Sequence, residues 1–89
     1  MIPNPPQQTE ALFPAECHFK IIAKDLNDVQ ERLDGVLAGF GCVDRVRPGN
    51  RSASGKYTTY NVSLMVESIE WMRSIDAAFR DVAGVRMVL

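Results

Sequence analysis

One histidine, two distant cysteines and no long apolar run are the sequence's main shortages, and each removes a class of function. With His18 alone, and with Cys17 and Cys42 outside any Cys-x-x-Cys pattern, no metal-ligand spacing exists. The two thiols read as reduced, mostly structural groups in a reducing compartment, because a buried free cysteine behaves as a small hydrophobe. His18 has no acid or nucleophile partner evident in the sequence, so acid–base catalysis lacks its parts. No Gly-Lys-Ser/Thr opens a helix; Gly55-Lys56 opens a strand instead, which is not a phosphate-binding loop. The expectation is therefore no enzyme, no metal and no cofactor. Met1 to Gln8 lacks the basic and apolar regions of a signal peptide. No apolar stretch approaches the roughly 20 residues that span a bilayer. A cytoplasmic protein without membrane attachment is expected.

What is present suffices for one small core. The chain has 89 residues, 46% hydrophobic and 24% charged, which allows a single domain. A net charge of −1 provides no global field to attract nucleic acid or an anionic membrane. That average conceals a polarity. Residues 45–66 hold Arg45, Arg47, Arg51 and Lys56 and no acidic residue, so this stretch carries +4 and the remainder −5.

Residues 1–11, rich in proline and glutamine, predict a flexible tail ahead of a domain over 12–89. Glu16 to Ala23 alternates as a first strand, with Cys17, Phe19, Ile21 and Ala23 on one side and His18, Lys20 and Ile22 on the other. Leu26, Val29, Leu33, Val36 and Phe40 follow helical spacing, with Asn27 or Asp25 as the cap and Gly39 and Gly41 at the end. Val43 to Pro48 predicts a short, charged edge strand. A loop from Pro48 to Gly55 then leads into Tyr57 to Val66, the clearest strand of the chain. Ser68 caps a second helix, to about Val82, whose stripe is Ile69, Met72, Ile75, Phe79 and Val82. Val85 to Leu89 is a terminal strand. The order is βαββαβ, an α+β ferredoxin-like arrangement with a four-stranded antiparallel sheet and two helices on one face. Strands one and three should lie in the centre. The other face is left open, with Tyr57, Thr59, Asn61, Ser63 and Met65 beside His18, Lys20 and Ile22.

Leu12-Phe13-Pro14, Lys20, Ser54-Gly55-Lys56-Tyr57 and the final Val85-Arg86-Met87-Val88-Leu89 resemble the YbeD-like family, small bacterial cytoplasmic proteins of unknown function. The resemblance covers about residues 12–89, and the terminal Val-Arg-Met-Val-Leu is its most specific element. It implies a fold like that of the ACT domains, which bind small ligands, often amino acids, and regulate enzymes. A regulatory role, with a suggested connection to lipoate synthesis, is what it implies for function. It carries over no catalytic residue.

The candidate site follows from charge and exposure. Arg45, Arg47, Arg51 and Lys56 are expected to surround backbone N–H groups freed between Ser52 and Gly55, a setting for a carboxylate or an acidic protein surface. Ser54, Tyr57, Thr59 and Asn61, with His18 and Lys20 from strand one, complete the set. Solvated arginines that protect a sheet edge explain the basic residues equally well without a ligand. The alternative function is RNA binding, since the RNA-recognition module shares this topology. It is disfavoured because Tyr57 is the one outward aromatic of the third strand, and a single stacking residue supplies about 1–3 kcal/mol. The terminal strand completes the sheet, and a homodimer through an edge strand is a further expectation.

Overall fold

Alternating side chains build β1 (Ala15–Lys24) and β3 (Tyr57–Val66), which pair antiparallel from Ala15 opposite Val66 to Lys24 opposite Tyr57. The structure, a computed structural model, describes residues 13–89; the expected tail and Leu12 lie outside the described residues. Phe19, Ile21 and Ala23 of β1 and Tyr60, Val62, Leu64 and Val66 of β3 are buried on one face. Their neighbours in sequence point the other way, as a period of two requires.

Helices α1 (Val29–Gly39) and α2 (Ile69–Arg80) supply the rest of the core, with Val29, Leu33 and Leu37 from one and Ile75 and Phe79 from the other. Phe79 meets Phe19 edge to face at 5.5 Å between centroids, a geometry worth about 0.5–1.5 kcal/mol beyond the area buried. Ser68 caps α2 as expected, its hydroxyl accepting the Trp71 N–H at 3.1 Å. Strand β2 (Arg47–Arg51) pairs with β3, and β4 (Val85–Val88) pairs with β1, giving the antiparallel order β2-β3-β1-β4. This is the ferredoxin-like fold, with β1 and β3 central. No described helix is long and apolar enough to cross a membrane.

Three local expectations need correction. Helix α1 starts at Val29 with Asp28 at the cap position, not Asn27 or Asp25, and no side chain caps it. The Asp28 carboxylate accepts from Arg32 Nε at 2.8 Å and is not spent on a backbone N–H. Leu26 consequently lies before the helix, 45% exposed and outside the buried stripe. The second strand also moves: residues 43–46 of the expected strand are irregular, and β2 spans Arg47–Arg51, taking in Gly49 to Arg51, which the sequence assigned to a loop. All five β2 residues are exposed. An edge position tolerates Pro48, whose missing N–H interrupts no interior ladder.

Candidate functional site

Arg45 and Arg47 owe their placement to the residue between them. Val46 is buried at 2% exposure while Arg45 and Arg47 on either side are exposed. Helix α1 grips its backbone: Asp34 Oδ1 accepts the Val46 N–H at 2.8 Å, and Gln30 Nε2 donates a longer, 3.5 Å bond to the Val46 carbonyl. A valine drawn into the core and held this way turns both flanking arginines outward.

These two arginines form one side of a concavity of about 430 Å³ on the open sheet face, lined also by His18, Asp44, Asn61, Val62 and Ser63. Four residues singled out by sequence therefore meet here: His18, Arg45, Arg47 and Asn61. His18 Nδ1 and Ser63 Oγ lie 2.7 Å apart, being direct partners across β1 and β3. Arg47 stands opposite Asn61, and Asn61 opposite Lys20, so the three form a row across the sheet. The Asn61 amide depends on Gly49, where an added Cβ would come within 3.0 Å of Asn61 Nδ2. Neither Arg45 nor Arg47 is ion-paired among the described residues, whose three pairs are Asp28–Arg32, Asp25–Arg51 and Asp76–Arg80. Two unpaired guanidiniums with amide and hydroxyl donors suit an anion, and guanidinium favours the bidentate grip of a carboxylate. Asp44 adds one anionic group to the wall, available to a positive group on the same ligand.

The remaining expected residues gather elsewhere. Arg51 pairs with Thr58, while Arg47 pairs with Asn61 and Pro48 with Tyr60, so the ladder slips by one residue between Pro48 and Arg51. A slip of one reverses the face. Arg51 leans toward the helical side, where its Nη2 reaches Asp25 Oδ2 at 2.6 Å. Part of the expected nest of free N–H groups is taken up within the turn, the Ser52 N–H donating to the Tyr57 carbonyl at 2.9 Å. Ser52 Oγ accepts from Tyr57 N at 3.2 Å, Ser54 Oγ from Lys56 N at 3.4 Å, and the Ser52 carbonyl from Gly55 N at 2.9 Å. Gly55 makes that turn at φ +76°, a region most side chains avoid. Lys56 and Tyr57 line a smaller hollow at this end with Lys24, Asp25, Leu26 and Gly55. The Tyr57 ring lies beneath the Arg86 guanidinium, 6.0 Å from its centroid. Thr59 lies between the two ends, opposite Ile22.

Sequence reasoning missed Ser63 and Asp44 as lining residues and Asp34 as the residue that positions the basic pair. Alternation places Ser63 on the open face, yet its bond to His18 follows from strand register. Burial raises the Cys17 thiol above its ordinary range, and burial together with nearby Asp44 raises Cys42. Both cysteines are free and half-buried. Among the described residues no group of three or more His, Cys, Asp or Glu side chains is arranged to hold a metal ion.

Comparison with known proteins agrees with this architecture. Residues 8–89 match the model of a family described as protein of unknown function (DUF493), and the chain belongs to that family, the YbeD family that the sequence resembles. Among solved structures it is similar to protein HP0495 from H. pylori, with a TM-score of 0.72 at 19% identity, covering 88% of this chain and 84% of that one. It is also similar to the ACT domain of GTP pyrophosphokinase from Chlorobium tepidum, whose crystal structure gives a TM-score of 0.64 at 22% identity over 83% of this chain and 94% of that one. The solution structure of that domain gives 0.62 at 21% identity, over 84% and 83%. At these identities the likeness concerns the fold. Curated protein sequences give no match.

Proposed function

We propose that this protein is a non-catalytic regulatory module that binds a small carboxylate in the concavity between Arg45, Arg47 and His18. The observation that carries this reading is the convergence of two unpaired arginines with His18, Asn61 and Ser63 around one hollow of about 430 Å³. That volume lies within the range of small-ligand sites. The ACT-like fold supports regulation by a ligand as the mode of action.

The reading is non-catalytic because the His18–Ser63 pair lacks an orienting group. Apart from Ser63 Oγ, His18 has no side-chain hydrogen-bond partner among the described residues. Without a carboxylate on the far ring nitrogen, nothing fixes the tautomer or stabilises an imidazolium, as a serine nucleophile requires. The pair serves better as two polar contacts for a bound oxyanion.

A thermal-shift screen of dicarboxylates, hydroxy acids and amino acids tests the proposal. At least one compound should raise the melting temperature of the natural chain and leave Arg47→Glu unmoved. A flat response across the panel, or an equal response in the variant, would count against it.

A further inference from the structure

We infer that the β1–β4 half of the open sheet face docks an extended acidic segment of a partner protein, with two acidic side chains flanking an apolar one. This surface lies beside the carboxylate hollow and shares no lining residue with it. Lys20, Ile22 and Lys24 project from β1 on the open face at alternate positions. At about 3.4 Å per residue the two lysines stand roughly 13–14 Å apart, with Ile22 midway.

Strand β4 widens this pattern. Met87 stands opposite Ile22, and the register then shifts so that Val85 is opposite Ala23. The irregularity leaves Arg86 unpaired in the ladder, and Arg86 lies over Tyr57, which places its charge on the open face beside Lys24. The surface is therefore cationic at Lys20, apolar at Ile22 and Met87, and cationic again at Lys24 and Arg86. Met87 is 46% exposed, large for an apolar side chain, and no described helix or strand covers it. None of these three cations has an ion-pair partner among the described residues.

Charge complementarity names the occupant. An extended segment shows every second side chain to one face. Acidic residues at positions i and i+4, with an apolar residue at i+2, then repeat the spacing of Lys20, Ile22 and Lys24. Single-stranded RNA would meet the same charges but needs free aromatic faces for its bases. The one aromatic here, Tyr57, already lies under Arg86 at 6.0 Å. Phe19, Tyr60 and Phe79 are in the core, with Phe13, Phe40 and Trp71 packed against it. The surface therefore favours an acidic peptide.

The probe is a synthetic seven-residue peptide, Ser-Glu-Thr-Leu-Thr-Glu-Ser with blocked ends, titrated into the full chain and followed by amide NMR shifts. A matched peptide with Gln for Glu and an oligouridylate of similar length are run alongside. Shifts should centre on Lys20, Ile22, Lys24, Arg86 and Met87, require the glutamates, and shrink as salt is added. The exposed double change Lys24→Glu with Arg86→Glu should weaken binding by roughly tenfold or more, and the milder Lys24→Gln should weaken it less. An unchanged amide dispersion shows that the variants remain folded. Absence of shifts, equal binding of the Gln peptide, unchanged affinity in both variants, or tighter RNA binding that is lost in Tyr57→Ala would overturn the inference.

Discussion

The Asp34 carboxylate accepts the backbone N–H of Val46 at 2.8 Å, joining the middle of α1 to the segment that bears Arg45 and Arg47. Held there, buried Val46 leaves Arg45 and Arg47 to line one hollow. Asp34→Ala leaves a part-buried amide without its charged acceptor and should cost about 1–3 kcal/mol. Asp34→Asn keeps an acceptor oxygen and should cost less. Denaturant unfolding measures both, and amide shifts of residues 43–47 should move in Asp34→Ala while the sheet centre stays put. Equal stability for the two variants would mean that the bond does not hold the segment.

Leu64 tests the assignment of faces in β3. It is 3% exposed, and truncation to Ala should cost about 2–5 kcal/mol through lost burial and the cavity left behind. Met65→Ala, next in sequence but 58% exposed, should change stability by about 0.5 kcal/mol or less. Similar costs at both positions would contradict the observed register.

Arg47 and Arg51 are four residues apart in one strand and should behave as different groups. Arg51 is ion-paired with Asp25 on the helical side, with its side chain 64% exposed, so Arg51→Ala should cost no more than about 1 kcal/mol. It should leave binding in the hollow unchanged. Arg47→Ala should have little effect on folding and a clear effect on binding. Calorimetric titration of both variants with a carboxylate found by screening separates the two roles.

Much of the architecture was readable because it follows from side-chain period. The alternation from Tyr57 to Val66 and the stripe of Ile75 and Phe79 could be placed without coordinates. The edge was not readable. Val43 to Pro48 looks more strand-like than Arg47 to Arg51, but Asp34 takes the Val46 amide and Pro48 is tolerated where pairing is one-sided. The slip between Pro48 and Arg51 then divided an arginine cluster that appeared continuous. His18, Arg45, Arg47 and Asn61 were each identifiable by exposure and charge. Their meeting place, and the part of Ser63, depended on register, which a single sequence leaves open.

Alkaline pH probes the buried neutral groups. Burial raises Tyr60 above the ordinary phenol range, nearby Asp25 raises it further, and Arg51 opposes them. Burial likewise raises Cys17, and burial with Asp44 raises Cys42. As pH rises, the unfolded chain therefore releases these protons before the folded one does. The stability they contribute is present below the ordinary thiol and phenol values, about 8.5 and about 10, and is lost as pH climbs through the raised folded values. The urea midpoint should fall above about pH 9, and Tyr60→Phe should shallow the upper part of that fall. An identical slope in Tyr60→Phe would remove the phenol from the explanation.

The decisive measurement is an amide NMR titration of the natural chain and of Arg45→Glu with Arg47→Glu, using the carboxylate that gives the largest thermal shift. Saturable shifts should appear at His18, Asp44, Arg45, Arg47, Asn61 and Ser63 in the natural chain and vanish in the folded double variant. Shifts that persist in that variant, or that map to the Ser52–Lys56 turn, would contradict a carboxylate site built on Arg45 and Arg47.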